Sequence, residues 1–139
     1  MPSLLAHLWQ ARHNEKLAKE LVDSLSYKDW AVTTTYYTAI HYIEAAFSQD
    51  NNILHTEYQI PPGSRRSMHS IREELVLEHY SGAWEALRKL HIQSNIARYL
   101  NTQRRVFMPV PVQDYFSDTD VRSFFTRDLP TIKRVIGIS

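Results

Sequence analysis

From Trp30 to Phe47 the chain reads Trp30-Ala-Val-Thr-Thr-Thr-Tyr-Tyr-Thr-Ala-Ile-His-Tyr-Ile-Glu-Ala-Ala-Phe47, with no formally charged residue between Asp29 and Glu44. At helical period Trp30, Thr33, Tyr36 or Tyr37, Ile40, Ile43 and Phe47 make one apolar face. Val32, Ala39, Tyr42 and Ala46 add apolar surface on other sides, so this helix has almost no face left for water. Such a helix belongs at the centre of a bundle. A second seam runs along it through Thr34, Tyr37, His41, Glu44 and Ser48, spaced 3, 4, 3 and 4. Burial of unpaired polar groups is costly, so the seam must be hydrogen-bonded inside the bundle or open onto a site.

Working outward, the remaining composition agrees with helices. The 139 residues are read as one helical domain over 1–139, with three glycines and six prolines that fall mainly outside the periodic runs. There is no cysteine, which excludes a disulfide framework and thiolate metal sites. The start, Met1-Pro-Ser-Leu-Leu-Ala-His-Leu-Trp9, has no basic leader followed by a long apolar run. The charge-free part of the central helix is shorter than the roughly 20 apolar residues a membrane span needs. A cytoplasmic protein without a membrane partner is the expectation.

The net charge of +1 conceals an uneven distribution. No acid occurs from Tyr58 to Ile71, where Arg65 and Arg66 lie, nor from Ala86 to Gln113, where Arg88, Lys89, Arg98, Arg104 and Arg105 lie. Acids gather in Glu73 to Glu85 and Asp114 to Asp128. This polarity suits an anionic partner on one face, although soluble chains commonly carry clusters of this size.

The periodicity predicts a first helix over 3–25, striped by Leu4, Leu8, Ala11, Ala18, Leu21, Val22 and Leu25. Ser26 or Asp29 is the expected cap of the central helix, which should run to about Ser48. Residues 49–63, with Pro61-Pro62-Gly63, read as a long loop. A third helix is expected from Ser64 or Ser67 to about His79, and a fourth after Ser81-Gly82 with Trp84, Leu87, Leu90, Ser94, Ala97 and Leu100 on one face. His91, Ser94 or Asn95, and Arg98 form a second polar seam. Val106 to Val112 is expected to be extended because of its prolines. Ser117 should cap a last helix to about Ile136, kinked or broken at Pro130. The fold expected is all-α: a five-helix, mostly up-and-down bundle.

Ordinary catalytic motifs do not account for the polar residues. His41 and Glu44 are spaced to share an ion, but neither Glu-x-x-His nor His-Glu-x-x-His occurs, so no metal and no cofactor are expected. There is no Gly-x-Ser-x-Gly, and Ser94 beside His91 reads as a hydroxyl bonded to its own helix.

Three segments carry more information together than apart: Tyr36-Tyr37-Thr-Ala-Ile-His41-Tyr-Ile-Glu44-Ala, then Ser67-Met-His69-Ser-Ile-Arg72, then Leu90-His-Ile-Gln-Ser94-Asn-Ile-Ala-Arg98-Tyr99. In that order, over roughly residues 1–100, the chain resembles prokaryotic HEPN domains. The resemblance implies a small helical bundle that binds RNA or nucleotides, commonly as a homodimer, often within toxin–antitoxin or defence systems. In many members it also implies RNA cleavage by an Arg-x4-6-His motif at the dimer interface. Such chemistry needs no metal, since arginine holds the phosphate while histidine moves the 2′-hydroxyl proton.

Arg72 to His79 fits the loosest form of that motif, but roughly 1.7 such pairs are expected by chance from the arginines and histidines present. Glu73, Glu74 and Glu78 would put negative charge where phosphate must sit. Weak catalytic candidates are therefore Arg72, His69 and His79. The expected phosphate or RNA contacts are Arg65, Arg66, His69 and Arg72, at or near the start of the third helix, with Arg98 of the fourth helix reaching the same place. Tyr37, His41, Ser94 and Tyr99 are the expected supporting network. Three functions stay open at this point: an RNA- or nucleotide-binding homodimer, a protein-interaction partner of a nucleotidyltransferase-type protein, and a metal-independent ribonuclease.

Overall fold

A computed structural model describes residues 3–53, 63, 66–99 and 112–138. The segment 54–62, Arg65, Arg104, Arg105 and the proline-rich strap as far as residue 111 lie outside the described residues. Within them the chain is all-α, with no strand.

Helix α1 (Leu4–Ser24) opens on Ser3, whose side chain accepts from the Ala6 N–H at 3.2 Å. It ends on Leu25 in the left-handed region, φ 54°, where the Leu25 N–H reaches Leu21 O. The turn that follows is short, and His7 near the start of α1 meets His41 near the end of α2, so the two helices run antiparallel. Helix α2 (Lys28–Gln49) begins after Tyr27 without a side-chain cap, so neither Ser26 nor Asp29 fills the role expected of it. Asp29 sits in the first turn instead, where its charge favours the helix dipole.

Thirteen of the 22 residues of α2 are buried, and α2 packs against α1, α4 and α7, which places it at the centre of the bundle. Its threonines satisfy themselves: Thr33, Thr34, Thr35 and Thr38 each donate to the carbonyl four residues earlier, at 2.6–2.9 Å. One expectation fails at its start. Trp30 is 59 % exposed rather than part of the buried face, because the neighbours that enclose Ala31 and Val32 lie on other sides of that first turn.

Ser67 caps α3 (Met68–His79) by accepting from the Ser70 N–H at 3.1 Å. The Tyr80 hydroxyl then donates to Asp50 Oδ2 at 2.7 Å, tying the end of α3 to the end of α2. A short 3-10 turn at Ser81–Ala83 leads into α4 (Trp84–Tyr99). A β-carbon on Gly82 would lie 3.3 Å from Val135 Cγ2, so glycine permits this turn to sit close to the last helix.

After the helical turn α5 (Val112–Tyr115), Ser117 caps α6 (Asp118–Ser123) as expected. The expected kink or break at Pro130 takes another form. A π turn at Phe124–Asp128 widens the helix, and the chain continues without interruption into α7 (Leu129–Ile136), with Pro130 in its first turn. Proline lacks an N–H and crowds the carbonyl four residues back, and a π turn accommodates both defects without ending the helix. Gly137, φ 79°, closes α7 while the Ile138 N–H bonds Lys133 O at 2.9 Å.

Tyr36, Tyr42 and Ile43 of α2, Leu87 and Leu90 of α4, and Leu129 and Ile132 of α7 are almost completely enclosed. Burial of each such side chain contributes about 1.5–3 kcal/mol. On the α1–α2–α7 side, Glu15 accepts from the Tyr42 hydroxyl and from Lys133 Nζ, the latter at 3.0 Å, which ties the three helices together.

Candidate functional site

The polar seam of α2 finds partners on three helices. His41 lies 3.4 Å from His7, Nδ1 to Nδ1, so one imidazole donates and the other accepts. Glu44 Oε1 accepts from Arg72 Nε at 2.7 Å, and 11 % of each side chain is exposed. The Tyr37 hydroxyl accepts from Arg98 Nη1, while Arg98 Nη2 donates to Asn95 Oδ1 at 3.0 Å. Thr34 and Ser48 bond to carbonyls of their own helix. The seam is therefore paired throughout, mostly across helices.

His69 occupies the middle of this arrangement. Its Nδ1 lies 2.7 Å from the Tyr36 hydroxyl and 3.2 Å from Arg72 Nη1. A guanidinium can only donate, so Nδ1 must be the acceptor and the ring proton must sit on Nε2. Burial, then the nearby Arg72, His91 and Arg98, push the His69 pKa down to about 4, with Glu73 opposing. Burial likewise lowers His7, with Arg72 adding to the effect and Glu44 opposing it. His41 is lowered by burial first, then by His7 and Arg72, again against Glu44. Three histidines of the cluster thus favour the neutral state.

His91 has the opposite arrangement. Its Nδ1 faces the Glu73 carboxylate, which only accepts, so Nδ1 carries a proton and donates to it. The His91 ring stacks on Tyr36 at 5.3 Å and lies 4.9 Å from the His69 ring. Among the described residues neither Nε2 has a hydrogen-bond partner, and neither is a fully enclosed orphan.

The sequence candidates fall into distinct places. His69 and Arg72 meet, as their spacing implied, but Arg72 is engaged by Glu44 and turns toward α2. His79 does not join them. It is two turns further along α3, about 10 Å by helical rise. Its Nε2 is buried without a hydrogen bond, 3.9 Å from Glu78. Arg66 pairs with Glu74 at the surface. Arg98 lies against the rings of Tyr37 and Tyr99, 5.3 and 4.9 Å from their centroids, and its buried Nε has no partner.

Of the expected supporting network, Tyr37 and His41 take part. Ser94 is buried but donates to His91 O at 2.9 Å within its own helix. Tyr99 is 59 % exposed, at the rim rather than inside, because it follows Arg98 on the outward side of the end of α4. Sequence reasoning did not place Tyr36, Glu73 and His7 in the site. The apolar face takes Tyr36 or Tyr37 by spacing alone; the Tyr36 phenol ring is buried there while its hydroxyl reaches His69. The Glu73–His91 and His7–His41 pairs join different helices, and no spacing along the chain signals them.

Among the described residues no group of three or more histidine, aspartate or glutamate side chains has the geometry to hold a metal ion. No described helix is long and apolar enough to cross a membrane. In comparisons with protein-family models, with curated proteins and with solved structures, nothing matches this chain.

Proposed function

We propose that this chain is an RNA- or nucleotide-binding module of HEPN type, working as a homodimer and belonging to a toxin–antitoxin or defence system. One observation supports the reading above all. The three segments that carry the resemblance, far apart in sequence, converge on a single polar cluster around His69. Arg98 adds a cation whose described hydrogen-bond partners, Tyr37 and Asn95, are neutral. Arg66 is also within reach of a phosphate, because an exposed pair such as Arg66–Glu74 is worth at most about 1 kcal/mol and can be exchanged. Arg72 is a weaker contact, since Glu44 already neutralises it.

The test is binding of the purified chain to single-stranded RNA as salt is raised. Electrostatic contacts predict a log–log slope of about −0.7 for each phosphate neutralised. Arg66→Ala should reduce that slope by about one contact. Binding that ignores salt, or no binding at low salt, would overturn the reading.

A second reading is favoured by a different surface. Leu5 and Trp9 of α1 are 74 % and 65 % exposed, and with Leu8, Arg12 and His13 they line a shallow groove of about 480 Å³. Under this reading the face docks a different protein, of nucleotidyltransferase type, and the chain has no nucleic-acid contact of its own. Trp9→Glu abolishing that heteromeric association, with RNA binding absent in the parent chain, would favour it. A metal-independent ribonuclease is supported less well: Arg72 and His79 do not share a site, and His69 holds its Nδ1 lone pair engaged.

A further inference from the structure

We infer that the outer face of α1 docks an acidic amphipathic helix of a partner protein, with Trp9 as the anchor and Arg12 and Lys16 as the charge contacts. This rests on the docking face of the second reading above and adds the chemistry of what docks there. It does not require RNA binding to be absent, because the two surfaces lie on opposite sides of α1. His7, Ala11, Ala18 and Val22 turn inward, and His7 meets His41 of the polar cluster. At about 100° per residue, Trp9 lies nearly half a turn round the helix from that buried stripe. Packing within this chain does not account for a tryptophan there. Leu5, Trp9, His13 and Leu17 are all exposed and recur every fourth residue. They form one ridge about 18 Å long, the element with which a helix packs into the groove of another. Trp9 and His13 are already stacked, 5.2 Å apart and inclined at 8°, so the middle of the ridge is a preformed plate.

Charge selects the occupant. Among the described residues neither Arg12 nor Lys16 forms an ion pair. Glu15, between them in sequence, is held by Tyr42 and Lys133 on the α2 and α7 side. Glu20 lies about 12 Å beyond Arg12 along the helix axis. From Leu5 to Lys16 the outer face therefore carries cations and no available carboxylate. A second copy with its Trp9 groove set against this one would bring the two Arg12 side chains together, and like charges oppose such docking. A membrane surface is a poorer match, because Lys16 and Glu20 follow Trp9 at helical spacing on the face that would have to enter lipid. A helix with leucines every third or fourth residue, flanked by aspartate or glutamate, satisfies both the ridge and its basic rim.

Two fluorescently labelled peptides of about 18 residues, long enough to cover the ridge as helices, test the assignment. Both carry leucine at every third or fourth position; one has glutamate at the flanking positions and the other lysine. At low salt the parent chain should bind the acidic peptide about tenfold more tightly than the basic one. Trp9→Glu, an exposed position whose exchange leaves the core untouched, should weaken that binding about tenfold or more. Arg12→Glu should shift the preference toward the basic peptide, which a loss of folding would not do. Equal binding of both peptides that still depends on Trp9 would overturn the acidic assignment and leave the docking face intact. Binding of neither peptide would remove both, and binding of the acidic peptide that ignores Trp9→Glu would place its contact elsewhere and overturn the inference. Self-association of the parent chain that Trp9→Glu abolishes would give the face to a second copy. Phosphatidylserine vesicles bound through Trp9 in place of the acidic peptide would give it to a membrane. Either result would overturn the inference.

Discussion

Arg72 Nε lies 2.7 Å from Glu44 Oε1, joining α3 to α2 through a pair of which only 11 % of each side chain meets water. Removing one member leaves the other charge buried without its partner, which typically costs about 3–5 kcal/mol. Glu44→Gln should therefore destabilise the chain by about 3 kcal/mol, whereas Glu44→Leu with Arg72→Met should recover most of that loss. Urea denaturation of Glu44→Leu, Arg72→Met and the double variant measures the coupling. Additive effects would mean that the pair does not hold the helices together.

The His69 imidazole makes stability depend on pH in a defined direction. Its pKa in the folded chain is about 4, against 6.5 for the free side chain. Between those values the unfolded chain takes up the proton and the folded chain does not. The stabilisation is thus complete above pH 6.5 and is lost as pH falls toward 4, by about 2 kcal/mol once the water reaching the ring is allowed for. His7 and His41, also lowered, act in the same direction. Denaturation midpoints at several pH values, compared with those of His69→Gln, isolate its share. An unchanged pH dependence in that variant would remove His69 as the cause.

Trp30 separates the reading of the sequence from the structure. A tryptophan in the core would cost about 3–5 kcal/mol on truncation to alanine. At 59 % exposure the cost of Trp30→Ala should stay within about 1 kcal/mol. A thermal melt decides between these values.

That contrast shows what was legible in the chain. The burial of Val32, Ala39, Ile43 and Phe47 followed from periodicity, because α2 is covered along most of its length. Trp30 shares their period but lies in the first turn, and period alone does not report where the neighbouring helices stop covering it. The seam Tyr37–His41–Glu44 was legible for the same reason as the core, and it did require partners. Which partners was not legible: Arg98, His7 and Arg72 come from three other helices, and only packing brings them there. Pro130 was legible as a defect but not as a π turn, since the choice between breaking and widening depends on what anchors both sides. Asp128, buried at the end of that turn and 3.3 Å from Lys89 Nζ, is one such anchor.

Tyr37 and Arg98 give a prediction in which stability and binding move apart. The Tyr37 hydroxyl accepts from Arg98 Nη1, and Arg98 Nε already lacks a partner. In Tyr37→Phe the guanidinium loses one of its two acceptors, which should cost about 1–2 kcal/mol. The ring beneath it is kept, so the cation retains its packing while gaining freedom to turn toward the rim beside Tyr99. Single-stranded RNA should then bind as well as before or more tightly, although the protein melts at a lower temperature. Polarisation titrations beside melting curves measure both. A loss of RNA affinity of tenfold or more at a temperature where the variant is folded would mean that the Tyr37 hydroxyl itself touches the ligand, and that Arg98 is held in its resting place for binding rather than released from it.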